Sequence, residues 1–168
     1  MSLGSLRSIF LAAAVSLGAA TATRAGPEYP QMGADIYDVH ADGEAQLTVA
    51  LQKASVEHRR VLLDFGANWC PWCRKLYAIL EDDPKAAKII NENYIVVMVD
   101  VNIDGGKNRN SNLNRKYGDP GNKGVPLLVI LDREGKQLAA KTAPQLGNGE
   151  AFVPTKIEGF LGNWAPGH

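Results

Sequence analysis

Leu47, Ala50, Leu51, Ala54 and His58 recur at spacings of three and four, the stripe of a helix that buries one face, and the spacing predicts a helix over 41–60. Asp42 is placed to cap its first turn. The period then changes. Val61-Leu62-Leu63-Asp64-Phe65 is a continuous apolar run broken by one acid, the pattern of a strand covered on both faces. A second helix is expected from Pro71, because proline suits a first helical turn, to about Asp82, where Asp82-Asp83-Pro84 interrupts it. A helical piece over 86–93, a buried strand over 94–101, a polar loop over 102–114 and one helical turn over 113–117 follow. Strands over 126–131 and 137–141 flank the turn Asp132-Arg133-Glu134-Gly135, and a helix over 154–164 with Ile157, Phe160 and Leu161 on one face closes the pattern. The order β-α-β, then a hairpin, then a helix predicts an α/β fold, a central mixed sheet with helices on both faces.

Two stretches at the beginning fall outside this alternation. Arg7 precedes an apolar and small-residue run over 9–20, and Ala20-Thr21-Ala22 and Thr23-Arg24-Ala25 both fit a small-residue cleavage site, the layout of a secretory signal peptide over 1–25. The run is shorter than the roughly 20 apolar residues a membrane span needs, so no stable insertion is expected after cleavage. Residues 26–40 open with the breaker-rich Gly26-Pro27-Glu28-Tyr29-Pro30 and read as an extended lead-in. Export places the remaining chain in a periplasmic or other extracytoplasmic compartment, where disulfides persist.

Composition narrows the function. A 168-residue chain with 45% hydrophobic and 21% charged residues is globular and of one-domain size, neither disordered nor fibrous. Lys plus Arg equals Asp plus Glu at 18 each, so no basic surface for a nucleic acid is indicated. Loss of residues 1–25 removes Arg7 and Arg24 and no acid, leaving a net charge of −2. No phosphate-cradling glycine loop is present, and no cofactor is expected.

The chain has two cysteines, both in Cys70-Pro71-Trp72-Cys73. At a helix start they are three apart on one face, within the roughly 4.4–6.8 Å Cα separation of a disulfide. Cys70 also meets the unpaired N–H groups and positive dipole end of the helix, which favour a thiolate, and Arg74 and Lys75 are candidates to add positive potential. Lowering a thiol from about 8.5 to about 6.5 raises its thiolate fraction at pH 7 roughly 25-fold, while a Brønsted slope near 0.45 returns about eightfold of that in lost nucleophilicity. The larger gain is a better leaving group and a neighbour able to resolve a mixed disulfide intramolecularly. An inert disulfide and half of a metal site are the competing readings. Zinc usually wants four ligands, and His40, His58 and His168 stand at no ligand spacing from the pair, so no metal is expected.

The segment Leu63-Asp64-Phe65-Gly66-Ala67-Asn68-Trp69-Cys70-Pro71-Trp72-Cys73 resembles the strand, active-site loop and helix start of the thioredoxin superfamily. Gly124-Val125-Pro126 resembles its cis-proline segment, and Asp132-Arg133-Glu134-Gly135-Lys136 its hairpin. The likeness runs over about 41–165, placing a thioredoxin-like domain at 41–168. It implies Cys70 as attacking nucleophile and Cys73 as resolving thiol. It further implies Pro126 as a cis proline facing the pair, and Val125 as a backbone platform for an extended substrate. Trp69, Pro71 and Trp72 join the expected substrate surface, though Trp69 equally suits simple packing. Asp64, an acid inside an apolar strand, matches the family's buried aspartate. Burial would raise its pKa and make it a proton acceptor for Cys73 through water, unless it faces outward at a strand end.

Three departures accompany the likeness. Pro71-Trp72 replaces the Gly-Pro of many thioredoxins. Asp100 stands where many place a lysine near the buried acid, so that two inward-facing acids would push one pKa up further. The stretch over 102–123 is long for the minimal fold, a solvated loop or a partner-docking surface. The expected activity is thiol–disulfide exchange with protein thiols or disulfides, as reductase or isomerase, drawing electrons from a membrane-embedded donor. A non-catalytic binding module and a metal chaperone are the alternatives.

Overall fold

The computed structural model describes residues 26–102, 109–118 and 124–167. The signal-peptide expectation, and residues 103–108 and 119–123 of the long stretch over 102–123, lie outside the described residues. Among the described residues no helix is long and apolar enough to cross a membrane.

Helix α1, Gly43–Glu57, is shorter at both ends than its apolar stripe suggests. The Asp42 carboxylate accepts from the amides of Glu44 and Ala45 and starts the helix there, and His58, left-handed at φ 56°, ends it. Strand β1, Arg60–Gly66, leads to α2, Pro71–Asp82. Asp83 then does two jobs. It terminates α2 and, with its side chain accepting from Lys85 N (3.0 Å) and Ala86 N (2.9 Å), caps α3, Pro84–Asn93. Asp83→Ala should therefore cost about 1 kcal/mol, read as a lower urea midpoint at unchanged slope. An unaltered midpoint would show that Pro84 alone starts α3.

Strand β2, Tyr94–Asp100, is followed by α4, Ser111–Tyr117, two residues longer than the single turn expected. Strands β3, Leu127–Leu131, and β4, Gln137–Thr142, form the hairpin. A four-residue helix α5, Ala143–Leu146, was not expected; its sign was Thr142 with Gln145 three residues on, which form a reciprocal capping box. Helix α6, Pro154–Asn163, closes the fold.

The sheet order is β2-β1-β3-β4, with β2 parallel to β1 and the other neighbours antiparallel. Alternation along β1 sorts the two layers. Val61, Leu63 and Phe65 pack with α1 and α4, while Leu62 packs with α2, α3 and α6. Asp64 follows Leu62 on that second side, in register with Met98 of β2 and Leu128 of β3. A carboxyl group thus sits in an inner strand of the sheet, two residues before its end at Gly66, on the face that α2 covers.

The stretch ahead of α1 is not merely an extended lead-in. Pro30–Met32 forms a short 3-10 turn, and Tyr37 is 1% exposed. Its burial depends on contacts with the loop after β1, which no local pattern reveals.

Candidate active site

Gly66 ends β1, and the loop Ala67-Asn68-Trp69 delivers the chain to Cys70, whose amide donates to Ala67 O at 3.1 Å. Cys70 is the N-cap of α2, and Pro71 occupies the first helical position, where a missing N–H leaves no hydrogen bond unmade. The amide of Cys73 donates to Cys70 Sγ at 3.1 Å. A backbone donor at a helix start is the kind of partner that favours a thiolate over a thiol when such a cysteine is reduced. Cys70 and Cys73 form a disulfide with their Cα atoms 5.3 Å apart.

The two sulfurs face different surroundings. Cys70 Sγ lies 3.8 Å from the carbonyl oxygen of Val125, and the Val125–Pro126 peptide bond is cis. Beside it runs a groove of about 370 Å³ lined by Trp72, Val125, Pro126, Ala143, Gly147 and Ala151. Trp72 is braced edge-on against Phe152, with ring centroids 5.3 Å apart. Cys73 is fully buried behind it, near Gly66 and Tyr37.

Trp69 turns its indole N–H to Asn102 Oδ1 at 3.2 Å. Neither neighbouring cation is directed at the sulfur by its hydrogen bonds: Arg74 donates to Asn68 O (2.9 Å) and Ala34 O (2.8 Å), and Lys75 Nζ lies over the Trp72 ring.

Asp64 is fully buried and faces inward. Its Oδ1 accepts from the Tyr37 hydroxyl at 3.2 Å, and Oδ2 has no hydrogen-bond partner among the described residues. Desolvation pushes its pKa up to about 7, against which the Tyr37 hydrogen bond pulls down. Asp100 lies on the same side of the sheet, in register with Gly66, and the mutual raising expected of two acids is corrected here. Burial is the main cause of the upward shift at each carboxyl, and Asp100 is paired with Arg109 Nη1 at 2.6 Å, an arginine also bound to Glu28 at 2.6 Å. Arg109 comes from the stretch read as a polar loop. Asn110 beside it donates to Asp100 O and accepts from Gly43 N, each at 2.8 Å, tying that stretch to β2 and to α1.

Sequence reasoning missed Tyr37 and Asn68. Asn68 Oδ1 accepts from the amides of Ile36 (2.9 Å) and Tyr37 (3.0 Å), and its Nδ2 donates to Tyr37 O at 3.0 Å. The usable sign was Ile36-Tyr37, an apolar pair inside a polar stretch. Among the described residues no group of three or more His, Cys, Asp or Glu side chains is placed to hold a metal ion.

Comparison with known proteins places this geometry among relatives. The thioredoxin-like domain family matches residues 47–144. A solved disulphide isomerase from Xylella fastidiosa Temecula1 is 34% identical, with a TM-score of 0.66 over 77% of this chain and 95% of that one. The disulfide bond reductase DsbH of Chlamydia pneumoniae is 29% identical over 118 residues, 67% of this chain and 68% of that protein. Human nucleoredoxin is 28% identical over 119 residues, 60% of this chain, and the match spans only 27% of nucleoredoxin's length. The relatives include thiol–disulfide oxidoreductases, and this chain carries a cysteine pair of the redox type.

Proposed function

The chain belongs to the thioredoxin-like family, and from that membership we propose that it is an exported thiol–disulfide oxidoreductase acting on extracytoplasmic proteins, as reductase or isomerase. The observation that carries the reading is Cys70 at the cap of α2, its sulfur bonded by the Cys73 amide and set against Val125 at the edge of a groove.

In the reduced protein the Cys70 thiolate attacks a substrate disulfide, and one substrate sulfur leaves and takes up a proton. Cys73 then gives its proton to the Asp64 carboxylate and attacks Cys70 Sγ, which expels the second substrate sulfur. That sulfur leaves as a thiolate and regains a proton as Asp64 reionises. Two electrons and one proton pass from the Cys70 thiolate and Cys73 thiol to the substrate, the proton on the first departing sulfur comes from solvent, and the protein is left as the Cys70–Cys73 disulfide. Val125 offers backbone groups to an extended segment, and Trp69, Pro71, Trp72 and Pro126 surround it. Regeneration outside the cytosol draws on a membrane-embedded thiol donor. The leader over 1–25 supports the extracytoplasmic assignment.

Reduction of insulin's disulfides, with dithiothreitol regenerating the protein, tests this reading. Wild type should accelerate the reaction and Cys70→Ser should abolish the acceleration. A wild type no faster than dithiothreitol alone overturns the proposal. Equilibration against glutathione gives the direction of electron flow: a potential near about −270 mV marks a reductant and one near about −120 mV an oxidant.

A further inference from the structure

Resolution by Cys73 needs a proton acceptor in a place closed to bulk water, and a third group reaches that place from outside the recognised domain. Tyr37 precedes α1, is 1% exposed, and ends its side chain at the Asp64 carboxylate. Packing alone would be served by phenylalanine. A buried hydroxyl is costly unless it is hydrogen-bonded, and this one donates to Asp64 Oδ1 at 3.2 Å.

Gly66 makes the approach possible. A methyl group at its Cα would collide with the Tyr37 hydroxyl and would sit 3.0 Å from Cys73 Sγ, so hydroxyl and sulfur border the same small space. The backbone of Tyr37 is held by Asn68, two residues before Cys70, through three hydrogen bonds that fix the amides of residues 36 and 37 and the carbonyl of 37. Arg74 of α2 binds both Asn68 O and Ala34 O. The loop that carries Cys70 therefore also places the hydroxyl.

We propose that Tyr37 is a positioning residue for thiol–disulfide exchange, its hydroxyl donating to Asp64 and holding that carboxylate ionised and oriented as the proton acceptor for Cys73. This rests on the dithiol function proposed above. A donor to the charged form of an acid favours that form, so the hydroxyl counters the desolvation that β1 imposes and keeps Asp64 near neutrality, at about 7. Burial and the neighbouring Asp64 push the Tyr37 phenol up, so it remains a donor across the working range. The other charged or titratable groups around the pair are Cys70, Cys73 and Arg74 of α2, Asp100 of β2, and beyond it Arg109 and Glu28. β3 offers Leu128 opposite Asp64.

The test compares wild type with Tyr37→Phe in the reduced protein, following the Asp64 carboxyl by 13C NMR across pH and the single-turnover release of a mixed disulfide. Tyr37→Phe should move the Asp64 midpoint up by about one unit, which lowers the ionised fraction at pH 7 about fivefold. Release should slow by about that factor at pH 7 and recover at high pH. In an Asp64→Asn background the same change should have no further effect on release. Incorporation of 3-fluorotyrosine at position 37, a stronger donor with the same ring, should move the midpoint down, and it keeps the question open to experiment if the phenylalanine variant fails to fold. Unmoved Asp64 titrations, or an equal loss in the Asp64→Asn background, overturn the proposal. The NMR titration needs no turnover, so a wild type unable to exchange thiols would remove the assigned function and still leave the hydrogen bond measurable.

Discussion

Replacing Cys73 with alanine should leave the protein covalently attached to its substrates. The nucleophile survives the change, because the donor to Cys70 Sγ is the backbone amide of residue 73, which alanine retains. What disappears is the sulfur held on the same turn of helix, with Cα atoms 5.3 Å apart. Well-oriented intramolecular groups act at effective concentrations of roughly 10⁵ M or more, far above any external thiol at millimolar level, so release should slow at least about a thousandfold. Non-reducing electrophoresis and mass spectrometry should find mixed disulfides on Cys70. The converse variant, Cys70→Ala, should trap almost nothing, because Cys73 is enclosed beside Gly66 and Tyr37, whereas Cys70, itself only 3% exposed, lies against Val125 at the edge of the groove. Near-normal turnover by Cys73→Ala would remove the two-cysteine mechanism.

Asp64→Asn should make the oxidised protein more stable at pH 8 and flatten its stability between pH 4 and 7, while slowing turnover. The sign follows from proton counting. Below about pH 3.8 the carboxyl is protonated both folded and unfolded, and its ionisation affects neither state. Between that value and about 7 the unfolded chain has released the proton while the folded protein still holds it, so stability falls as pH rises. Above the folded value both are ionised and the whole difference persists, about 4 kcal/mol for a shift of this size. Asparagine does not ionise, and at pH 8 it should recover a large share of that amount, measured by urea unfolding as a function of pH. Loss of the proton acceptor should lower turnover about a hundredfold. Identical pH limbs for the variant and wild type would show that another group governs the titration.

That opposition between stability and activity was legible in the chain as one acid in Val61-Leu62-Leu63-Asp64-Phe65, since an apolar run reports burial whatever the burial is for. Other features were equally local. Asp42 and Pro71 each mark a helix start through a side chain or ring acting on its own turn, and the structure uses both in that way. The cysteine pair needs only helical spacing to meet. The features that escaped depend on chain segments far apart in sequence. Tyr37 is buried because Asn68 and Arg74 reach back to residues 34–37, and the apolar pair Ile36-Tyr37 on its own does not say which distant residues will cover it. Arg109 looks like a solvated loop cation until β2 brings Asp100 and the segment ahead of α1 brings Glu28. The mutual effect expected of Asp64 and Asp100 failed for the same reason, because the arginine that pairs with one of them was not visible as its neighbour.

The family match runs from 47 to 144, and that boundary cuts through what the molecule uses. A protein trimmed to it would retain Cys-Pro-Trp-Cys, the buried acid and the proline, yet would lack the tyrosine at the acid, the Glu28 partner of Arg109, and α6. Transplanting the tetrapeptide alone into a different scaffold would carry over the sulfurs without the phenol that sets the acid beneath them. Engineers wishing to borrow this redox centre should take residues 34–37 along with the loop that binds them, and should place purification tags well ahead of both.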